Sequence, residues 1–363
     1  MIDKIVFLTR GSIDERIREK FGIETLRAEG FDVRAIQIIL DDLEPALSEI
    51  RRLSSDTFVM NFVDYSLKTC PLYRGIAASG AYYAVLVANS LPSAIPRRKM
   101  LAQNLKKFGP KTTVRKLMNY WFFYIPPRWV GIRPADLILA GGEKTLQFRR
   151  RYPTDGNSEV LWVHATDYDI YLKEKNVPSA ERPIAVFLDE YLPFHPDIQT
   201  LEVPFSIDPD KYYQLLNKFF DAVERELGLK VVIAAHPRSR YDGDYFAGRE
   251  CIKGETARLV KNSRLVLAHG SDALNFANLF RKPVIFLSSH DLDKEVYMGL
   301  FIRTMARWFG KNPVFMDEDE IDWDRELKVS IDHYEEYRRA YIKTNHSEEL
   351  PFWKIVANRL KNW

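Results

Sequence analysis

The sequence predicts an α/β protein built from two doubly wound halves. Three observations carry that expectation. Short apolar runs rich in β-branched residues alternate with helical segments along the chain, which is how parallel strands joined by crossover helices read. At 363 residues the chain is long enough for two ordinary domains. Polar, chemistry-bearing residues gather just past the ends of the apolar runs, at the edge where open parallel sheets bind ligands. The stretch from Lys230 to Ser289 shows all this most clearly. Val231–Ala235, Leu265–Ala268 and Val284–Leu287 read as strands, followed by His236-Pro237-Arg238, His269-Gly270-Ser271 and Ser288-Ser289.

Composition narrows the class. The chain is 46% hydrophobic and 28% charged, without low-complexity runs or repeats. No apolar segment approaches the roughly 20 residues that cross a bilayer, and MIDKIVFLTR begins directly on a strand, so the protein is expected in the cytoplasm. Cys70 and Cys251 are the two cysteines and lack disulfide-framework or zinc spacing. A net charge of +3 argues against a dedicated nucleic-acid binder.

In chain order, Lys4–Thr9 reads as a buried strand, and Asp14–Glu29 as a helix ending at Gly30. Val33–Ile39, Thr57–Val63, Tyr82–Ala88 and Leu137–Ala140 read as further strands, and Val160–Ala165 follows them. The loop Arg10-Gly11-Ser12 lacks the GxGxxG of a dinucleotide fingerprint. Thr57–Val63 ends at Asp64, a carboxylate expected on the ligand edge of the first half. Between the fourth and fifth strands Arg97, Arg98, Lys99, Lys106, Lys107, Lys111, Arg115 and Lys116 occur with no acid among them. Tyr120-Trp121-Phe122-Phe123-Tyr124-Ile125 follows. Cations beside an aromatic belt suit an anionic membrane surface, so Arg97–Lys116 and Tyr120–Ile125 form a candidate docking element. A solvated helix leading into a buried aromatic segment explains the same residues. Asp167 and Asp169 form a DxD that can chelate a hard cation or simply cap a helix.

The proline-containing stretch 176–183 reads as a linker, placing a first domain at 1–177 and a second at 178–330, with helices over 331–363. Ile184–Leu188 opens the second domain and runs into Asp189-Glu190-Tyr191. Pro209–Leu227 is a strongly amphipathic helix, capped by Asp208 and stopped by Gly228. One more strand is expected near Pro313–Met316.

Ser271 is placed to open a helix over Asp272–Phe280, whose first N–H groups favour an anion. His236 and Arg238, read as a neighbouring strand end, add charge-assisted donors to the same anion. Gly254, in the turn Lys253-Gly254-Glu255-Thr256, allows close approach of a ligand. Ser271 acting merely as a cap, and His236 as a satisfied core histidine, are the plain alternatives.

These motifs have a precedent. His236-Pro237, Gly254-Glu255-Thr256, His269-Gly270-Ser271 running into Ala273-Leu274-Asn275-Phe276-Ala277, and Lys282-Pro283-Val284-Ile285-Phe286 resemble the C-terminal domain of GT-B glycosyltransferases. The likeness is nearest to bacterial capsule and O-antigen enzymes, including sialyl- and Kdo-transferases. The resemblance implies two Rossmann-like domains facing a cleft, with acceptor on the first and nucleotide-sugar donor on the second, and C-terminal helices packing back on the first. His236 and Pro237 match the HP motif, and Ser271 matches the serine motif, both of which hold donor phosphate in that family. Asp272 stands where a second hydroxyl residue is common. Asp189-Glu190-Tyr191 resembles the acidic motif loosely, lacking its glycine.

The expected site is therefore a donor pocket of His236, Pro237, Arg238, Gly254, Glu255, Thr256, His269, Gly270, Ser271 and Asp272, with Asp189, Glu190 or Asp64 as base. The expected partners are a nucleotide-sugar donor, a glycan or lipid-linked acceptor and an anionic membrane surface. Neither a cofactor nor a metal is expected.

Overall fold

A computed structural model describes residues 2–11, 13–92, 110–195 and 207–363. The first sheet contains β1 (Lys4–Thr9), β2 (Asp32–Gln37), β3 (Thr57–Asn61), β4 (Tyr82–Leu86), β5 (Leu137–Ala140) and β6 (Glu159–Trp162). The second contains β7 (Ile184–Leu188), β8 (Lys230–Ala235), β9 (Cys251–Lys253), β10 (Leu265–Ala268), β11 (Val284–Ser288) and β12 (Val314–Phe315). Every pairing within these sheets is parallel. The orders are β2-β1-β3-β4-β5-β6 and β12-β11-β10-β7-β8-β9. Strands covered on both faces by crossover helices lose alternation, so β3, β5, β7, β10 and β11 are buried along their whole length.

In each sheet the direction of winding reverses once. In the first the reversal falls between β1 and β3; in the second it falls between β7 and β10. Crevices outside the carboxyl ends of such strand pairs are where doubly wound sheets take ligands.

The described residues divide into two compact units, one holding β1–β6 together with Arg339–Trp363 and the other running from Ile170 to Arg338. The second of these units begins at Ile170, inside the helix Asp167–Glu174. At the other end, the chain returns to the first unit at Arg339. The helix Ile331–Tyr337 stays with the second unit because its aromatic side chains are anchored there. Tyr334 Oη donates to Lys282 O at 2.6 Å, and Tyr337 Oη donates to Asn275 Oδ1 at 3.1 Å.

The last helix, Phe352–Lys361, buries Phe352, Trp353, Ile355, Val356 and Leu360 in the core of the first unit. Trp353 meets Phe7 edge-on at 5.1 Å, and its Nε1 donates to Lys20 O at 2.8 Å. This packing explains a local departure from the sequence pattern. The periodicity over Asp14–Glu29 predicts one helix, but the structure has two, Glu15–Lys20 and Ile23–Ala28, separated at Gly22. Gly22 has φ 54°, and a Cβ there would lie 2.2 Å from Trp353 Cδ1. An indole contributed from the far end of the chain therefore bends this segment.

Where caps and periodicity agree, the helix forms as read. Pro209–Leu227 has Asp208 accepting from Lys211 N at 3.1 Å and Gly228 at φ 63°, and it buries Tyr212, Leu216, Phe220 and Val223 along one face. The short edge strand β9 has no apolar run to announce it.

Replacing Trp353 by Ala should lower unfolding free energy by about 3–5 kcal/mol, the usual cost of emptying a buried aromatic site. Urea unfolding that shows a loss under about 1 kcal/mol would mean the final helix is not a structural part of the first unit.

Candidate functional site

Strand order decides which residues meet. The sequence places His236 and Ser271 on neighbouring strand ends, whereas β7 lies between β8 and β10, with Leu188 paired to both Ala234 and Ala268. The acidic pair that follows β7, Asp189-Glu190, consequently occupies the centre of this edge. The HP residues flank it on the β8 side and Gly270-Ser271 on the β10 side.

Asp189 is 5% exposed, and both carboxylate oxygens are engaged. Oδ1 accepts from Tyr191 N at 2.8 Å. Oδ2 accepts from His236 N at 2.9 Å and from Tyr241 Oη at 2.8 Å. Burial raises its pKa, and the three donors oppose that shift. Asp189 is therefore a tether for the His236 loop, and its lone pairs are committed to that task. Tyr191 has φ 57°, a left-handed conformation costly for a non-glycine residue. It is held by the Asp189 bond and by its own hydroxyl donating to Arg240 O at 3.0 Å.

Glu190 differs. Its Oε1 accepts from Gly270 N at 2.6 Å, bridging the β7/β10 switch point. Burial pushes its carboxyl up to about 7; the Gly270 bond opposes this, and the nearby Asp189 and Asp272 charges add to it. A carboxyl that exchanges its proton near neutrality, at a switch point, has the properties of a general acid or base. Gly270 itself is confined: a Cβ there would come within 2.6 Å of the Phe301 ring.

On the β8 side, the His236 Nδ1 accepts from Arg238 N at 3.2 Å. Its ring centroid lies 4.8 Å from that of His195, and the Arg238 guanidinium stands 3.3 Å from His195 Nε2. Two imidazoles and a guanidinium therefore share one place, an arrangement suited to an oxyanion. His195 was not among the sequence candidates. The only trace of it there is that His195-Pro196 repeats the dipeptide His236-Pro237. Tyr241 left no trace, and Tyr191 entered only as the third residue of Asp189-Glu190-Tyr191, because their part depends on the fold around Asp189.

Several expected donor contacts have other roles. His269 is fully buried, and Tyr212 Oη and Leu287 O lie 2.9 Å from its Nε2 and 2.8 Å from its Nδ1. The carbonyl can only accept, so Nδ1 carries the proton and Nε2 accepts from Tyr212. Burial lowers the pKa to about 4, and His269 is a neutral core residue without a nitrogen left for a ligand. The helix expected over Asp272–Phe280 is limited to Leu274–Leu279, too short to offer a helix-terminus anion site. Ser271 Oγ instead accepts from Ala273 N at 3.2 Å, ordering the turn before it. Asp272 is exposed beside this turn.

Gly254 adopts φ 80° in the turn after β9, Glu255 pairs with Arg258, and Thr256 opens the helix Thr256–Asn262. These three lie at the edge strand, two positions away from β7 in the sheet. Pro237 is exposed. Asp64 belongs to the first unit, where its Oδ1 accepts from Arg10 Nη1 at 3.1 Å; this ion pair spans the first sheet's own reversal point. Of the DxD pair, Asp169 Oδ1 accepts from Phe352 N at 2.8 Å and so anchors the last helix. Among the described residues no group of three or more His, Cys, Asp or Glu is placed to hold a metal ion.

No protein-family model matches the chain, and no curated protein matches it. Solved structures match the fold over almost its full length. The S. aureus MnaA–UDP co-structure is 12% identical over 99% of this chain and 95% of its own, with a TM-score of 0.52. The wall teichoic acid polymerase TagF soaked with CDPG is 13% identical over 99% and 88%, with a TM-score of 0.54. A UDP-N-acetylglucosamine 2-epimerase is 13% identical over 99% and 96%, with a TM-score of 0.51. With its two six-stranded parallel sheets and flanking helices, this chain has the GT-B-like two-domain α/β fold.

Glu190 and His269 bend the stability–pH curve in opposite directions. Glu190 has a folded pKa above its unfolded value, so its contribution is complete below about 4.5 and is lost as pH rises through about 7. His269 has a depressed folded pKa, so its contribution is present above about 6.5 and disappears as pH falls to about 4, up to about 3 kcal/mol in all. Melting curves from pH 4 to 8 should therefore show Glu190→Gln removing the decline toward neutral pH, and His269→Phe removing part of the acid-side decline. Curves parallel to the parent's in both variants would show that neither group is titrated in this way.

Proposed function

We propose that the protein is a glycosyltransferase that moves a sugar from a nucleotide-activated donor onto a lipid-linked or polysaccharide acceptor. The assignment extends to surface-polysaccharide assembly of the capsule or O-antigen kind, at the inner face of the cytoplasmic membrane. The observation that carries it is the Glu190 carboxyl bonded to Gly270 N at the switch point, its pKa raised by burial, and flanked by the His236–Arg238–His195 cluster. The sequence likeness to HP-motif transferases and the GT-B-like fold support the same reading.

In this reading the donor phosphate rests against His236 and Arg238, with Ser271 on the other side of Glu190. Glu190 accepts the proton of the acceptor hydroxyl, whose oxygen forms a bond to the anomeric carbon. The bond from that carbon to the phosphate oxygen breaks, and the electron pair leaves with the nucleotide, inverting the centre. Donors aimed at the departing phosphate supply the electrostatic share. With a CMP-activated acidic sugar the leaving group develops less charge, so the transfer requires no metal. Asp189 positions His236 and does not act as base.

A second reading has a specific observation behind it. Two of the matched structures are described with UDP or as a UDP-N-acetylglucosamine 2-epimerase, and a carboxyl near neutrality also serves epimerisation. A glycerophosphotransferase, or a non-catalytic nucleotide- or glycan-binding subunit, would use the same anion cluster.

Thermal-shift measurements with CMP, UDP, GDP and CDP should show stabilisation by one of them, lost in His236→Ala. Glu190→Gln should keep that stabilisation while its turnover falls at least about a hundredfold, the usual share of a general base. Absence of a shift with every nucleotide would end the enzyme reading. Conversion of a UDP-sugar without any acceptor would replace transferase by epimerase.

A further inference from the structure

The helix Pro110–Phe122 and the turn after it carry their apolar residues on the wrong side for a globular core. Phe122 is 2% exposed and packs 4.8 Å from the Tyr65 ring, so one face of the helix is seated on the first unit. Val114, Met118 and Trp121 follow one another at helical spacing on a face left in solvent. Tyr124, Ile125 and Trp129 continue the exposure, with Trp121 at 63% and Trp129 at 82%. Six large apolar side chains exposed within sixteen residues form the kind of patch that marks an interaction surface.

Charge identifies the partner. From residue 65 to residue 135 there are twelve Lys and Arg and not one Asp or Glu, although the whole chain carries only +3. Among the described residues, Arg74, Arg115 and Arg128 are exposed on or against this segment: Arg74 Nε donates to Val130 O, next to Trp129, Arg128 Nη2 donates to Asp155 Oδ2 at 3.3 Å, and Arg115 follows Val114. The basic residues 97, 98, 99, 106 and 107 of the docking element expected from the sequence lie outside the described residues. A second copy of this chain would set one cationic rim against another, which disfavours self-association. An anionic lipid surface answers both halves of the pattern. Its headgroups attract the arginines, and its interfacial zone takes Trp and Tyr, whose rings are apolar with one polar edge.

We propose that Val114–Trp129 is a membrane-docking surface, in which Trp121 and Trp129 enter the headgroup zone of an anionic leaflet and Arg74, Arg115 and Arg128 pair with its phosphates. No helix among the described residues is long and apolar enough to cross a membrane. The inference deepens the membrane-face part of the proposed function and is independent of its nucleotide chemistry, since neither its residues nor its test involves the nucleotide site.

Sedimentation of the full chain with vesicles of phosphatidylcholine and phosphatidylserine tests it. The protein should bind these vesicles, bind phosphatidylcholine vesicles far more weakly, and lose binding as salt rises. Trp121→Ser with Trp129→Ser, and separately Arg115→Glu with Arg128→Glu, should each weaken binding at least about tenfold while leaving the melting temperature within a few degrees. No vesicle binding, binding indifferent to anionic lipid and salt, or dimerisation abolished by the tryptophan changes would overturn the proposal. Because nucleotide thermal shifts are read separately, failure here leaves the catalytic proposal standing, and the reverse holds.

Discussion

The position of β7 between β8 and β10 is the constraint on which the candidate site depends. Parallel pairing on both sides of one strand sets the residues after β7 between two others, and Asp189 and Glu190 are the residues that follow it. Asp189 then has a buried position surrounded by donors, and a carboxylate there is tolerable only if its lone pairs are filled. It fills them with the His236 amide, the Tyr191 amide and the Tyr241 hydroxyl, and in doing so fixes the loop that carries the HP dipeptide. The next side chain, Glu190, spans the reversal point and has one backbone donor. Adjacent carboxyls thus have different surroundings, Asp189 with three donors and Glu190 with one backbone donor and a pKa raised by burial.

The same sheet edge shows how burial sorts histidines. His269 and His236 both follow apolar strands and look equivalent in the sequence. His269 lies in the core between a tyrosine hydroxyl and a carbonyl, and burial keeps it neutral. His236 lies at the surface of the edge, with a second histidine and an arginine beside it. Of the two, only His236 is part-exposed on that edge.

The first unit contrasts with this in where it spends its apolar residues. Its interior is closed by the last helix, whose Trp353 and Phe352 complete a core begun by β1 and β3. Yet the helix Pro110–Phe122 leaves a stripe of large apolar side chains uncovered while inserting Phe122. A chain able to bury its terminal helix so fully does not leave such a stripe exposed for want of apolar contacts elsewhere, and the cationic rim around it gives the exposure a direction.

Much of the architecture was legible from residue order. Strand positions such as Lys4–Thr9, Leu137–Ala140, Ile184–Leu188 and Leu265–Ala268, and the capped helix Pro209–Leu227, follow from burial on two faces, helical spacing and cap chemistry. All of these act over a few residues, so neighbouring positions suffice to read them. The two-domain α/β class follows from their succession. Tertiary structure decided the rest: which strand lies beside which, that Asp189 is consumed in holding His236, that His269 is shut in, that His195 joins the cluster, and that Gly22 must bend beneath Trp353. Each of these depends on contacts between segments tens to hundreds of residues apart, and pairing order and desolvation at such separations leave no mark on the local sequence.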